Sequence, residues 1–152
     1  MSAEMINEFK GKYRFLSNFY KTTVEFEGKK YPSSENAFQA AKSLDDKVRD
    51  KFTTIEPNEA KKLGREIELR PDWEHVKIGI MYDILKAKFS DPKMRQMLLS
   101  TENCYLIEGN DWGDTFWGYN IKKGFGFNHL GRLLMKLRLE IHLEEKNANG
   151  TV

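Results

Sequence analysis

The stretch from Ser33 to Leu44 constrains the fold of this 152-residue chain more than any other segment. At about 100° per residue, a helix here presents one mixed polar and aromatic face: Glu35, Phe38, Gln39 and Lys42. The opposite face is small and apolar: Ala37, Ala40, Ala41 and Leu44. The mixed face fits the wall of a pocket, where a few polar groups converge among apolar ones. It fits a charged surface with one aromatic side chain equally well, so periodicity alone leaves both interpretations open.

Length and composition predict a single domain over residues 1–152, with a core from about residue 6 to 144 and a frayed tail at 147–152. Hydrophobic residues make up 39% and aromatic residues 12%, which is enough for one core. The net charge of +2 is too small for a protein that binds nucleic acid mainly by neutralising phosphates. Local basic patches remain possible.

The cysteine count and the hydropathy pattern bear on the compartment. Cys104 is the only cysteine, so no intrachain disulfide can form, which fits a reducing environment. Its apolar neighbours predict a buried, inert thiol. Residues Met1–Met5 lack the basic and apolar regions of a secretory signal, and no stretch approaches the roughly 18 apolar residues of a membrane span. We therefore expect a soluble cytoplasmic protein with no membrane partner, whose oligomeric state stays open.

Local patterns predict one hairpin and several helices. Thr22–Phe26 alternates, Gly28 supplies a turn and Lys29–Tyr31 returns, as in a β-hairpin, whereas Arg14–Tyr20 is typical of a strand end that runs into a loop. Cys104–Glu108 predicts a buried strand. Helices are expected in the following segments: Ser34 to about Leu44, Asp45 to Ile55, Asn58 to about Glu66, Trp73 to about Phe89, Lys93–Leu99, and a final helix that begins at Asn128 or His129. Ser33 or Ser34 can cap the first of these, and Pro57 suits the first turn of the third. The fourth carries the spacing of a buried stripe: Val76, Ile80, Met81, Ile84, Leu85, Lys88 and Phe89.

Neither a metal site nor a cofactor site is predicted. The three histidines, His75, His129 and His142, are dispersed, and Cys104 has no cysteine partner. No phosphate-loop or dinucleotide fingerprint occurs. Gly124–Asn128 precedes a helix, where backbone amides could hold an anion, but that signal alone is weak.

Carboxylates near tryptophans carry the clearest chemical signal. Glu35 opens a helix, Glu108 ends a predicted strand, and Asp114 lies in a loop rich in glycine and tryptophan. Aromatic side chains beside carboxylates fit a sugar or nucleobase site, because the ring stacks on a flat group and desolvates the acid. The tryptophans could equally be core residues and the acids turn caps. Lys42 lies about 10 Å along the helix from Glu35 and could bind phosphate, act as an amine nucleophile or be a surface lysine.

Separated motifs occur in order from about Phe9 to Ile141. They are Phe15–Tyr20; Tyr31–Ser34 followed by Glu35, Phe38, Gln39, Ala40 and Lys42; Leu63–Arg65, Arg70, Asp72, Trp73, Met81, Lys88 and Phe89; and Leu98–Thr101, Ile107, Glu108, Asp114, Trp117, Gly118, Gly126, Asn128, Leu130, Gly131, Leu134, Met135 and Arg138. Together these motifs resemble those of the NADAR, or YbiA-like, family. Each motif is modest, and their number and order make the resemblance specific.

The resemblance implies a compact, helix-rich α+β fold with a small antiparallel sheet. It also implies an N-glycosidase that cleaves the bond between a ribose and a nitrogenous base. The substrates of that family are phosphorylated riboflavin-pathway intermediates or ADP-ribose attached to guanine, including ADP-ribosylated nucleic acid. Two rival functions are a non-catalytic module that binds ADP-ribose or a nucleotide, and a protein that binds the oligonucleotide itself. The near-neutral charge argues against the second rival.

The resemblance also directs the assignment of roles. Glu35 is expected to be the acid or base, Asp114 a second carboxylate, and Lys42 the amine of a Schiff-base route, which the ADP-ribose-acting members of the family suggest. The expected substrate-binding residues are Asn18, Phe19, Phe38, Arg65, Arg70, Trp73, Glu108, Trp117 and Asn128. Among these, Asn18 is expected to bind ribose or phosphate, the two arginines phosphate, and the two tryptophans the base. No cofactor and no metal are expected.

Two positions depart from the family pattern. Members often have His-Tyr after the helix glutamate, where this chain has Asn36 and Ala37, so we expect an altered pocket there. Asn120 replaces a common glycine two residues after the Trp117–Gly118 pair. Asparagine tolerates the left-handed conformation best among the other residues, so the turn is expected to persist.

Overall fold

The computed structural model describes residues 4–150. Within them the helices and strands follow one another in this order: β1 (Met5–Ile6), a 3-10 helix (Gly11–Leu16), β2 (Lys21–Phe26), β3 (Lys29–Ser33), α1 (Ser34–Ala40), α2 (Asp46–Asp50), α3 (Pro57–Gly64), α4 (Trp73–Lys88), α5 (Pro92–Leu99), β4 (Tyr105–Leu106), β5 (Gly109–Asn110), β6 (Tyr119–Asn120) and α6 (His129–Ala148). None of the helices in this described range is long and apolar enough to cross a membrane.

The fold is α+β and helix-rich, as predicted. β2 and β3 form the antiparallel hairpin expected from the sequence, with Val24 opposite Tyr31. Two further sheets of two strands each are parallel, β1 with β4 and β5 with β6. The described residues fall into two compact units. We call residues 18–91 the central unit, and residues 4–17 with 92–150 the terminal unit. The single domain predicted from length stays a prediction.

In the central unit, α1 follows the hairpin directly and is buried on every side. It begins at Ser34 because the Ser33 side chain accepts a hydrogen bond from the backbone N–H of Asn36, as in an N-cap. The helix ends at Ala40, earlier than predicted, through a tighter turn in which Ser43 N–H donates to Ala40 O. Asp45 then caps α2. Leu44 is consequently 65% exposed, so the prediction that it joins the apolar face of α1 was wrong.

The remaining helices of the central unit support α1. α2 is shorter than predicted, and Phe52 is buried just beyond its end. α3 begins with Pro57 in its first turn, as expected. α4 buries the second half of the predicted stripe, which includes Met81, Ile84 and Leu85, whereas Val76 and Ile80 are half-buried. Contacts of α1 with α3, α4 and the hairpin therefore fix its position from several sides.

The terminal unit is built around α6, which packs against β4 and α5. Leu130, Leu134 and Leu137 form its buried face. The helix continues to Ala148, two residues into the segment predicted to fray. Residues 1–3, part of the segment used to exclude a secretory signal, and residues 151–152 of that tail lie outside the described range.

Two predictions for the terminal unit and its boundary were wrong. The stretch expected to be a strand end before Tyr20 is instead a 3-10 helix, in which Phe15 and Leu16 are buried. The predicted strand at Cys104–Glu108 shortens to Tyr105–Leu106, because the chain turns where Gly109 N–H donates to Ile107 O. Cys104 is accordingly half-buried and not enclosed in a strand core.

Candidate active site

The centre of the candidate site is the pair of Glu35 and Gln39, one turn apart on α1. Gln39 Nε2 donates to Glu35 Oε2 at 2.6 Å, and both side chains are more than nine-tenths buried. This hydrogen bond fixes the orientation of the Glu35 carboxylate, because it holds one of the two oxygens in place. The position of Glu35 in the first turn also favours its charged form through the helix dipole. This buried, oriented acid fits the acid or base role predicted for Glu35.

Asn18, which precedes the hairpin, is hydrogen-bonded to the first turn of α1. The carbonyl oxygen of Asn18 accepts from Glu35 N–H at 3.0 Å, and its Oδ1 accepts from the Ser34 hydroxyl at 2.9 Å. Its Nδ2 lies 3.7 Å from Met81 Sδ on α4. Asn18 therefore lies beside Glu35, and it positions the first turn of α1. Its predicted contact with ribose or phosphate stays a prediction.

Phe38 and Trp73 form the aromatic part of the site in the central unit. The ring centroids are 5.0 Å apart at an interplanar angle of 52°, and both residues are buried. Phe38 lies on α1 between Glu35 and Gln39 in sequence, and Trp73 begins α4. The contact joins the two helices and lines this part of the unit with aromatic surface.

Lys42 lies in the turn that follows α1 and is half-buried. Its Nζ is 3.5 Å from Gly64 O, and its carbonyl accepts from Arg70 N–H at 2.7 Å. Burial lowers the pKa of the Lys42 amine, while the Glu35 charge raises it in part. The nearby cations Arg65, Lys77 and Lys61 lower the pKa further. Lys42 thus has the environment of an amine that loses its proton more readily than a surface lysine.

The cations around Lys42 form a basic cluster that the sequence only partly anticipated. Arg65 follows α3 and is exposed, as a phosphate-binding arginine would be. Lys61, on α3, lies 6.0 Å from the ring centroid of Phe19, which is 41% exposed. Phe19, Lys61 and Arg65 are therefore accessible residues with the chemistry to hold a phosphorylated ligand.

Arg70 has a different environment from Arg65. Its guanidinium forms a two-point pair with Asp72, with Nε to Oδ1 at 2.7 Å and Nη2 to Oδ2 at 3.1 Å. This bond raises the pKa of Arg70 and lowers the pKa of Asp72. Nη1 lies 3.5 Å from Ala41 O. Arg70 therefore holds the backbone at residues 41–42, and its predicted phosphate contact stays a prediction.

A second lysine of the central unit, Lys88, is fully buried at the end of α4. Its Nζ lies 5.2 Å from the ring centroid of Phe89 and 5.9 Å from that of Tyr20. Burial lowers the pKa of Lys88 to about 7. The sequence pattern predicted Lys88 as part of the apolar stripe of α4 but gave no sign of this shift.

In the terminal unit, Asp114 organises the glycine-rich loop. Its Oδ1 accepts from the backbone N–H groups of Phe116 and Trp117, at 3.2 and 3.0 Å. These bonds fix the backbone at Phe116 and Trp117. The two rings pack edge-on, with centroids 4.8 Å apart. Asp114 is therefore an ordered, half-buried carboxylate, and its role as the second catalytic acid stays a prediction.

Glu108 and Asn128 are joined in the same unit. Asn128 Oδ1 accepts from Glu108 N–H at 2.9 Å, and Asn128 Nδ2 donates to Leu106 O at 2.9 Å. The Asn128 side-chain amide thus bonds to the backbone on both sides of Ile107, at the end of β4 and just beyond it. Asn128 itself adopts a left-handed conformation with φ of 52° just before α6. Its side chain positions Glu108 in this structure, and its contact with substrate stays a prediction.

The predicted residues fall into two groups. Asn18, Phe19, Glu35, Phe38, Lys42, Arg65, Arg70 and Trp73 lie in the central unit; Glu108, Asp114, Trp117 and Asn128 lie in the terminal unit. Sequence reasoning noted Gln39 on the mixed face but assigned it no role, although its i,i+4 spacing from Glu35 was a usable signal. It missed Lys61 and Gly64, whose places depend on how α3 packs against α1.

Asn36, where an altered pocket was expected, has a structural role in α1, and the change in the pocket stays a prediction. Its side chain is fully buried and donates to Phe52 O at 2.9 Å and to Ile55 O at 2.8 Å. Its Oδ1 accepts from the Ser33 hydroxyl at 2.6 Å. Asn36 therefore holds the connection between α2 and α3 against α1, and Ala37 is equally enclosed.

Comparison with known proteins supplies the family context. The family model described as "NADAR domain" matches residues 6–142. The protein named N-glycosidase YbiA from Escherichia coli is 38% identical over 137 residues, covering 88% of this chain and 84% of that protein. The riboflavin biosynthesis protein PYRR, chloroplastic, of Zea mays is 40% identical over 125 residues, which span 73% of this chain and 20% of that longer protein. The NMR structure of the E. coli protein YbiA matches with a TM-score of 0.82 and 36% identity, covering 95% of this chain and 89% of that one.

Proposed function

Because this chain belongs to the NADAR domain family, we propose that it is an N-glycosidase that hydrolyses the bond between a ribose and a nitrogenous base. The observation that carries the proposal is the pairing of a buried, oriented carboxylate with a half-buried amine of lowered pKa on one short segment. Glu35 supplies the first and Lys42 the second. We also propose that the protein is cytoplasmic, because a chain with one cysteine forms no intrachain disulfide, which fits a reducing compartment.

The proposed substrate carries at least one phosphate. Lys61 and Arg65 lie near Lys42, and Arg65 is exposed, so this end of the site suits a phosphate or diphosphate. Phosphorylated riboflavin-pathway intermediates and ADP-ribose on guanine both meet that requirement. The relative named riboflavin biosynthesis protein PYRR favours the first substrate. The aromatic pair Phe38 and Trp73 supplies apolar surface for the base.

We favour a route through a Schiff base at Lys42. The neutral amine attacks C1′ as the bond between C1′ and the base nitrogen breaks. The charged Glu35 carboxylate accepts the proton that the attacking amine loses and passes it to the leaving base. The ribose ring then opens as the C1′–O4′ bond breaks, which leaves an imine between C1′ and Lys42. Water adds to C1′ and the amine leaves, so the net reaction is hydrolysis. The lowered pKa of Lys42 supports this route, because only the deprotonated amine is nucleophilic.

A direct route uses the same residues differently. Departure of the base would leave an oxocarbenium-like sugar, which a carboxylate stabilises while water attacks. Glu35 and Asp114 are the two acids assigned to that route. It requires no covalent bond to Lys42, which then acts only through its charge on the substrate phosphate.

A substrate screen tests the proposal. The purified chain is incubated with phosphorylated riboflavin intermediates and with ADP-ribosylated guanine, and chromatography measures the free base. We expect release of base from one of them, and loss of release in Glu35→Gln and Lys42→Ala. Lys62→Ala, an exposed lysine of α3, is the matched control. Wild-type rates in both folded site variants would disprove the assignment. Binding of ADP-ribose without any product would favour the non-catalytic module instead.

A further inference from the structure

The glycine-rich loop of the terminal unit carries three large side chains that the proposed hydrolysis does not use. Trp112, Phe125 and Phe127 are 58%, 55% and 62% exposed. Exposed aromatic groups of this number on one loop are unusual for a surface without a partner. We propose that this loop, from Trp112 to Phe127, is a binding surface for single-stranded nucleic acid. The proposal goes beyond hydrolysis and stands without it.

The backbone holds the loop in one conformation. Asn120 pairs with Phe125 through its N–H at 2.8 Å, and Asn120 Oδ1 accepts from Lys123 N–H at 3.0 Å. Phe127 N–H donates to Thr115 O at 2.8 Å, which fixes the other end. An ordered loop presents its rings with less loss of conformational entropy on binding than a mobile one.

Gly126 explains why the two phenylalanines point outward. A Cβ at Gly126 would collide with the backbone of Gly118 and Tyr119, so this side of the segment faces the protein. The neighbouring residues Phe125 and Phe127 extend their side chains to solvent. Two residues apart, their Cα atoms are separated by at most about 7 Å, roughly twice the 3.4 Å rise of stacked bases. Phe125 and Phe127 therefore offer two exposed rings close together along the chain for base stacking.

The ring of Phe127 is also supported from behind. It stacks on the His129 imidazole with centroids 5.6 Å apart and an interplanar angle of 9°. His129 packs in turn against Phe116, at 4.5 Å between centroids. A ring supported on one face offers the other as a flat platform, and stacking on such a platform accepts any base.

Charge around the loop favours a polyanion. Residues 112–139 contain five cations and one acid, Asp114, whose carboxylate accepts from two backbone N–H groups, in a chain whose net charge is only +2. Four of these cations are exposed: Lys122, Lys123, Arg132 and Lys136. The ion pair between Lys122 and Asp111 is weak, since Nζ lies 3.9 Å from Oδ2 and both side chains are mostly exposed. Segregated cations beside exposed rings match the requirements of unpaired nucleic acid, which offers phosphates and open base faces together.

Fluorescence anisotropy with an unmodified, labelled single-stranded DNA of mixed sequence tests the proposal at low salt. We expect the full chain to bind it, and to bind the matching duplex more weakly because paired bases are already stacked. The double variant Phe125→Ser/Phe127→Ser should lose at least about tenfold in affinity. The matched control is Leu139→Ser/Leu143→Ser, which removes equally exposed apolar side chains from α6.

A second variant separates stacking from charge. Lys122→Gln/Lys123→Gln should reduce the slope of log K against log salt by about 1.4, as expected when two phosphate contacts to a single strand are lost. Circular dichroism establishes that each variant is folded. Absence of binding by the wild type at low salt would overturn the proposal. So would equal affinity for strand and duplex, or wild-type affinity in the phenylalanine variant.

Discussion

Gln39 Nε2 donates to Glu35 Oε2 across one turn of α1, at 2.6 Å, with both groups enclosed. The donor holds one of the two carboxylate oxygens and so fixes the orientation of the group. It also stabilises the charged form of Glu35, because a hydrogen bond to a carboxylate favours ionisation. The protonation state and direction of the proposed acid therefore depend on its neighbour in the helix.

Replacement of Gln39 should consequently affect catalysis more than binding. We expect Gln39→Met, which keeps the side-chain length, to lower kcat roughly ten- to a hundredfold, the worth of one hydrogen bond to a charged group. Gln39→Glu should shift the acid limb of the pH profile of kcat upward, because a second carboxylate disfavours ionisation of the first. Steady-state kinetics across pH measures both effects. An unchanged profile in Gln39→Glu would contradict the positioning role.

Gly64 leaves the space that Gln39 occupies. A Cβ at residue 64 would overlap the Gln39 side chain, from its amide oxygen inward. We expect Gly64→Ala to displace Gln39, to lower the melting temperature and to reduce kcat in the same direction as Gln39→Met.

Gly79 on α4 provides the matched control for Gly64. Nothing lies within 4 Å of a Cβ at that position. Gly79→Ala should therefore stabilise the chain by up to about 1 kcal/mol, because it removes backbone freedom from the unfolded state. Thermal unfolding of the two variants measures the contrast. Equal effects on melting temperature would show that packing against Gln39 is not the cause.

Asn36→Ala tests the structural role of Asn36. Removal of the amide leaves the carbonyls of Phe52 and Ile55 without that donor, so we expect a loss of about 2–4 kcal/mol in unfolding free energy. KM should not change, since the side chain is enclosed away from solvent. Asn58→Ala, at an exposed position of α3, should stay within about 0.5 kcal/mol of the wild type. Urea unfolding measures the stability, and substrate titration measures KM. A change in KM with unchanged stability would show that Asn36 acts on substrate binding instead.

The buried Lys88 makes stability depend on pH. Its pKa is about 7 in the folded chain and 10.5 in an exposed lysine, so between these values the folded chain holds fewer protons than the unfolded chain. Stability from this group therefore rises with pH across that window, and the buried amine is most costly at and below pH 7.

Lys88→Met should remove that dependence. The gain in unfolding free energy over the wild type should be larger near pH 7 than near pH 10, by an amount on the order of a few kcal/mol. Urea unfolding at both pH values measures the difference between the two proteins. Lys86→Met, an exposed lysine on the same helix, should show no such trend. A gain that is equal at the two pH values would contradict a deprotonated Lys88.

Local features explain which parts of the fold could be predicted. The Ser33 cap, the hairpin turn at Gly28 and Pro57 at the start of α3 depend on neighbouring residues, and the structure has each of them. The sequence predicted the end of α1 four residues too late, because Ala41 to Leu44 have helix-compatible side chains. The tight turn at Ser43 and the cap at Asp45 end the helix instead.

The parts of the candidate site that could not be predicted are contacts between distant residues. Asn18 binds the start of α1 sixteen residues later, and Lys61 reaches Phe19 across the central unit. Periodicity carries no information on such pairs. The resemblance to the NADAR family supplied the residues, and the structure supplied what holds each of them.

The reaction of Lys42 with the sugar tests the central claim most directly. The chain is incubated with the substrate that releases base in the screen, in the presence of cyanoborohydride, and the protein is then analysed by peptide mass spectrometry. We predict a reduced sugar adduct on Lys42, with base release and adduct both lost in Lys42→Arg, which keeps the charge but not the nucleophile. Release of base at the wild-type rate by folded Lys42→Arg, with no adduct on the wild type, would contradict the account.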